Sequence, residues 1–150
     1  MTRIQNSIEI NAGFDVVFDM TNDIENWPNL FTEYKEALVI QKDDNYILFR
    51  LTTFPDEDQK TYSWISERRL DRENKKIHAR RVDHLFPFQS MDIQWLYEEK
   101  DGRTEMVWTQ DFEVDPSSGF TEQQVVDHLN QTSRVQMEAI KTNLEKILAY

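Results

Sequence analysis

Tyr62-Ser63-Trp64-Ile65-Ser66-Glu67-Arg68 decides how the rest of the chain is read. As a β-strand it places Tyr62, Trp64, Ser66 and Arg68 on one face and Ser63, Ile65 and Glu67 on the other. A face of two large aromatics, a hydroxyl and a guanidinium is too polar for a plain core and too aromatic for an ordinary wetted surface. It reads as the wall of a ligand cavity. Two later stretches repeat the design: Met91, Ile93, Trp95 and Tyr97 alternate with Ser90, Asp92, Gln94, Leu96 and Glu98, and Met106, Trp108, Gln110 and Phe112 alternate with Glu105, Val107, Thr109 and Asp111.

Working outward, Ile4, Asn6, Ile8 and Ile10 share a face, which predicts a first strand over residues 3 to 10. Asn11-Ala12-Gly13 ends it. Phe14, Val17 and Phe18 then recur at helical spacing up to Thr21, and Asp23 to Phe31 follow with Pro28 suited to a first helical turn, so two short helices are expected in tandem. From Tyr34 the alternation resumes, Lys42-Asp43-Asp44-Asn45 makes a turn, and Tyr46 to Phe54 completes a hairpin. Pro55 to Lys60 is a polar connection before the opening strand, which runs to about Leu70. Lys76 to Val82 is a short strand and Asp83 to Phe88 an apolar loop. Ser90 to Glu99 and Thr104 to Val114 form a hairpin closed by Lys100-Asp101-Gly102-Arg103. After Asp115 to Gly119, Thr121 is a candidate N-cap for one long amphipathic helix carrying Val125, Leu129, Met137, Ile140, Leu144 and Ile147 or Leu148. The prediction is an α+β fold: seven antiparallel strands curled around the C-terminal helix, with two short helices after the first strand.

At 150 residues the chain fits one domain, residues 1–150, and 39% hydrophobic with 12% aromatic residues suffices for a core. Seventeen Lys and Arg against 28 Asp and Glu give a formal charge of -11, which disfavours nucleic acid and anionic membranes as partners. The absence of cysteine removes disulfides, thiolate nucleophiles and Cys-ligated zinc, and suits a reducing, cytoplasmic location. No apolar run reaches bilayer-spanning length.

Trp64-Ile65-Ser66-Glu67-Arg68, Ser90-Met91-Asp92-Ile93-Gln94-Trp95-Leu96-Tyr97-Glu98, Trp108-Thr109-Gln110-Asp111-Phe112 and Asn130-Gln131-Thr132-Ser133-Arg134-Val135-Gln136-Met137 occur in one order. With Asn26-Trp27-Pro28, Phe31 and Tyr34, they resemble the bacterial aromatic polyketide aromatase/cyclases of the START/Bet v1-like superfamily over essentially the whole chain. The resemblance implies a helix-grip fold with a hydrophobic cavity between sheet and long helix. It further implies a poly-β-ketone delivered on an acyl carrier protein by polyketide synthase components, closed by aldol chemistry and dehydrated to aromatic rings without a cofactor. Arg68 and Tyr34 would be the catalytic pair. Trp27, Phe31, Trp64, Ser66, Phe88, Met91, Trp95, Trp108, Gln110, Leu129, Asn130 and Ser133 would bind substrate, in a monomer or weak homodimer. Tyr62 departs from the family, where another aromatic, commonly Trp, is frequent.

Read from chemistry alone, Arg68 is the most informative residue, because no inward strand position is Asp or Glu. A buried guanidinium must reach solvent, accept a polar ligand, or pair with an acid placed elsewhere. As a permanent cation it would stabilise an enolate oxygen. Tyr34, a phenol with an ordinary pKa of about 10, suits proton donation to an alkoxide or positioning. The α-proton could leave to a water held by Tyr34, Ser66 or Gln110. His78, His84 and His128 lack metal-ligand spacing and read as structural or solvated, so no metal is expected. Asn130 and Ser133 interrupt the inward side of the long helix, where they bond a ligand, hold water or satisfy backbone. The competing functional class is a noncatalytic carrier of a lipid or isoprenoid quinone, which needs fewer convergent polar groups.

Overall fold

The computed structural model describes Met1–Ala149. The alternating stretches become β1 (Thr2–Ile10), β2 (Tyr34–Asp43), β3 (Tyr46–Thr53), β4 (Ser63–Asp71), β5 (Lys76–Asp83), β6 (Phe88–Lys100) and β7 (Arg103–Val114). They form one sheet in the order β1-β7-β6-β5-β4-β3-β2, antiparallel at every ladder. The first strand therefore pairs with the last, and α1 (Phe14–Thr21), a 3₁₀ turn (Ile24–Asn26) and α2 (Trp27–Leu30) carry the chain from one sheet edge to the other. The tandem helices were legible, and Pro28 sits in the first turn of α2 as expected. At the β6–β7 turn, Asp101 and Gly102 both have positive φ (55° and 77°), the geometry that two-residue hairpins favour.

The C-terminal helix, α3 (Glu122–Leu148), opens with a capping box: Thr121 accepts from the Gln124 amide, and the Gln124 side chain accepts from the Thr121 amide. Its buried stripe is Val125, Ser133, Gln136, Met137, Ile140 and Leu144. Ile147 and Leu148, expected to extend the stripe, are 47% and 42% exposed. A helix of 27 residues is about 40 Å long, whereas β1, against which it lies, spans about 30 Å, so the helix is longer than that strand.

Two further sequence expectations are corrected at strand ends. Phe88, placed in a loop, is the first residue of β6 and is buried. Tyr62, placed on the cavity wall, precedes β4 and is 54% exposed. Its carbonyl accepts from the Thr53 amide and its own amide donates to Thr53 Oγ1, which turns the chain into the polar loop and sends the phenol out towards Asp56.

The connections divide by end. The β2–β3, β4–β5 and β6–β7 turns are short and share one end, whereas the β3–β4, β5–β6 and β7–α3 connections share the other. The larger apolar cluster, with Phe18, Trp27, Phe49, Trp95, Met106 and Ile140, joins α1 and α2 to the sheet and to the C-terminal half of α3. A smaller one, Ile4, Phe88, Met91, Phe112 and Val125, lies at the long-loop end, with Leu129 packed against it.

Because the capping box fixes the start of the one helix that covers the sheet, Thr121→Ala should cost about 1 kcal/mol. For a chain of this size that lowers the thermal midpoint by about 2–4 °C. An unchanged midpoint in a melting curve would show that the first turn of α3 contributes nothing.

Candidate active site

Arg68 lies in β4 opposite Ile47 of β3 and Ala79 of β5, and its residue is only 2% exposed. Its Nε donates to Asn22 Oδ1 at 2.8 Å, and its guanidinium carbon sits 4.0 Å from the Trp95 ring centre and 5.1 Å from that of Trp27. Asn22 follows α1 directly; its Nδ2 donates to the Phe18 carbonyl and to the Tyr97 hydroxyl, which also shares a 2.7 Å hydrogen bond with Thr21 Oγ1. The cation thus rests on a neutral amide, a phenol and two aromatic faces, with no acid in hydrogen-bond contact. Its Nη2 is buried without any partner. Burial lowers the Arg68 pKa to about 10, against the opposing pull of Tyr97 and Tyr34, which still leaves a full charge at neutral pH.

The aromatics gather around it. Trp95 and Trp108, opposite each other on β6 and β7, stack at 4.6 Å; Trp27 lies over Trp95 at 6.1 Å and Phe31 over Trp108 at 6.2 Å. Tyr34 joins them, 5.8 Å from Trp27, 5.1 Å from Phe31 and 6.2 Å from Trp64. Burial, and then the nearby Glu33 charge, push the Tyr34 phenol well above its usual range, so at neutral pH it is a proton donor and not a base. Ser66 is buried on the same wall, and Trp108 Nε1 and Ser90 Oγ are further buried groups without partners. Two surface depressions, at Lys42–Asp44 and between Met1, Phe112 and Phe120, lie elsewhere, and neither is the expected cavity between sheet and long helix.

The polar residues of α3 are engaged with the sheet and the α2–β2 link. Asn130 Oδ1 accepts from Asn6 Nδ2 at 3.0 Å, Ser133 donates to Gln110 Oε1 at 3.1 Å, and Gln136 both donates to and accepts from Thr32. Towards the long-loop end, Phe88 packs on Phe112 at 5.8 Å, with Met91 and Leu129 in the same cluster. His78, His84 and His128 are exposed; among the described residues no group of three His, Cys, Asp or Glu side chains could hold a metal ion.

Sequence reasoning missed two charged residues of this wall. Arg81 shares the inward face of β5 with Ile77 and Ala79, and its guanidinium carbon lies 4.1 Å from the Trp64 ring centre and 5.5 Å from that of Phe88. Burial lowers its pKa to about 10, with Tyr34 and Glu33 opposing. Glu33, just before β2, is half-buried; burial raises its pKa and the Arg81 charge offsets this in part. The alternation Ile77, Ala79, Arg81 was the available signal for the arginine. Register shifts at Tyr34/Glu36 and Ile65/Ser66 mark bulges beside these residues, and bulges re-aim side chains at sites of this kind.

A cation and a phenol set among stacked indoles, on the inner face of a sheet gripped around its last helix, define the class: a helix-grip protein with a polar group built into an aromatic interior. Residues 10–141 match the family described as polyketide cyclase / dehydrase and lipid transport, and the chain belongs to that family. A provisionally named polyketide cyclase of Streptomyces cyaneus is 44% identical over 143 residues, covering 95% of this chain and 93% of its own. Among solved structures, the Zhui aromatase/cyclase of Streptomyces sp. R1128 has a TM-score of 0.86 at 18% identity, covering 98% of this chain and 95% of that one. A START superfamily protein of Mycobacterium smegmatis has a TM-score of 0.80 at 16% identity, covering 97% and 98%. These two share the fold. No helix among the described residues is long and apolar enough to cross a membrane.

The raised Glu33 pKa has a measurable sign. A carboxyl whose folded pKa exceeds its unfolded value favours the fold fully below the unfolded pKa, near 4.5, and loses that advantage as pH rises through the folded pKa. Glu33→Gln should therefore melt above the parent at pH 7 and converge with it near pH 4. A difference that is constant across this range would contradict the assigned burial.

Proposed function

We propose that this chain is a cofactor-independent polyketide aromatase/cyclase acting on a poly-β-ketone tethered to an acyl carrier protein. The observation that carries the reading is the buried Arg68 Nη2: a fixed cation with an unmet hydrogen bond, set between indole faces. A ligand oxygen there completes the shell that the protein leaves open. The carrier would present its chain from the long-loop end, where Phe54, Tyr62, Phe86 and Phe120 are exposed. For the chain to enter, the side chains of Phe31, Tyr34 and Trp64 must part.

Chemically, Arg68 holds a ketone oxygen and stabilises the enolate that forms as the neighbouring methylene loses its proton to a water at the Ser66 and Tyr34 hydroxyls. The enolate carbon attacks a second ketone carbon, forming the ring bond and leaving an alkoxide. Tyr34, held neutral by burial, gives that alkoxide its proton and takes one back from the water that received the methylene proton. Loss of water then gives the unsaturated ring, and the indoles exclude bulk solvent from the reactive enolate. The family description also covers lipid transport, but a carrier of apolar cargo gains nothing from a cation whose burial is this costly.

Arg68→Ala should lower correctly cyclised product in a reconstituted synthase by a factor on the order of 100, equivalent to about 2.7 kcal/mol of oxyanion stabilisation. Arg68→Lys keeps charge without the planar fork and should recover only part of it. The melting point of Arg68→Met should stay level or rise, since an apolar isostere relieves a buried charge. Normal product from a folded Arg68→Ala protein would remove Arg68 from the chemistry, and product that is the same with and without this chain would transfer the weight to the carrier reading.

A further inference from the structure

Arg81 is a cation of the inner wall that the chemistry above does not use. It stands directly opposite Ser66, whereas Arg68 lies two residues along Ser66's own strand and opposite Ala79, so the two arginines are diagonal neighbours across adjacent strands. The rows they occupy are two residues apart, about 6.6 Å along the strand. Arg81 is the nearer to the long-loop end. Its guanidinium lies on Trp64 and Phe88, and among the described residues no side chain accepts a hydrogen bond from it. The acid it senses, Glu33, acts on it through charge alone.

We propose that Arg81 is a second oxyanion subsite, taking a carboxylate or the enolised oxygen of a 1,3-dicarbonyl nearer the long-loop end than Arg68. For its natural ligand the proposal rests on the cyclase reading; the anion subsite itself does not. The Arg81 guanidinium carbon lies 4.1 Å from the Trp64 ring centre and 5.5 Å from that of Phe88, and a planar guanidinium fork binds two oxygens of a conjugated anion side by side. The bulge at Ile65/Ser66 lies where β4 faces Arg81. In a poly-β-ketone an oxygen recurs on every second carbon. Two cations at fixed separation on one wall select which pair of oxygens is held, and so which carbons meet in ring closure. Glu33 opposes such a ligand by repulsion and keeps the subsite weak for simple anions.

The alternative is a structural arginine that covers indole and phenyl faces with its stem and carries no ligand. The two are separated by binding of 2-naphthoate and of its uncharged methyl ester, followed by quenching of tryptophan fluorescence on the full chain. The wild type should prefer the acid by about tenfold, the scale of one charge-assisted hydrogen bond. Arg81→Gln should erase the preference while leaving the ester affinity in place, and Glu33→Gln should strengthen acid binding. Opposite signs from the two variants are not produced by loosened packing. No preference in the wild type, or a preference that survives Arg81→Gln, overturns the subsite. Should Arg81→Gln fail to fold, an unchanged acid affinity in Glu33→Gln overturns it equally. If a reconstituted synthase gives the same product with and without this chain but Arg81→Gln loses the acid preference, the cyclase reading falls and the anion subsite stands.

Discussion

A guanidinium buried on the inner face of a sheet is the constraint that the rest of this structure accommodates. Removing such an ion from water costs several kcal/mol even after relaxation. No carboxylate meets it; Asn22, Tyr97 and the faces of Trp27 and Trp95 do. Cation–π contacts of this kind contribute about 0.5–2 kcal/mol each, which offsets the cost only in part. The placement of α1 follows, since Thr21 and Asn22 must reach Arg68 and Tyr97 from its C-terminal end. A charge left partly unmet favours a ligand that brings its own oxygen, whereas an acid partner would have neutralised it.

The fold was legible because most strand positions alternate and the turns carry their own chemistry. Ile4, Asn6, Ile8 and Ile10, or Met106, Trp108, Gln110 and Phe112, can be buried together only by a pleated strand. Thr121 with Gln124, and Asp101 with Gly102, announce a helix start and a tight hairpin. Strand ends were less legible, since they are decided by partners distant in sequence. Tyr62 leaves the wall because Thr53 claims its backbone, and Phe88 enters β6 because Val114 pairs with it. Ile147 and Leu148 keep the helical spacing but end exposed at the last turn of a helix longer than β1.

The candidate site was legible where polarity broke a regular pattern. Arg68 stood out against Trp64 and Ser66, and the tryptophans against their polar neighbours. Asn22 was invisible, because a single amide after a short helix has no periodic signature, and only the fold brings it to Arg68 across 46 positions. Glu33 lies in a linker with no period at all. Arg81 was hidden among Arg80 and His78, although its parity with Ile77 and Ala79 carried the information. Asn130 and Ser133 were identified as polar breaks, and the structure shows them bonded to Asn6 and Gln110.

These relations make Arg68 the fixed point: a side chain held at Nε by the protein and open at Nη2. Nitrogen-15 NMR of the arginine side chains reads both atoms. The Arg68 Nε–H should exchange slowly in the free protein, and adding 1-(2-naphthyl)-1,3-butanedione should shift its Nη resonances while Nε stays in place. A diketone that binds, as judged by tryptophan fluorescence, yet leaves the Arg68 Nη resonances unmoved would contradict the account.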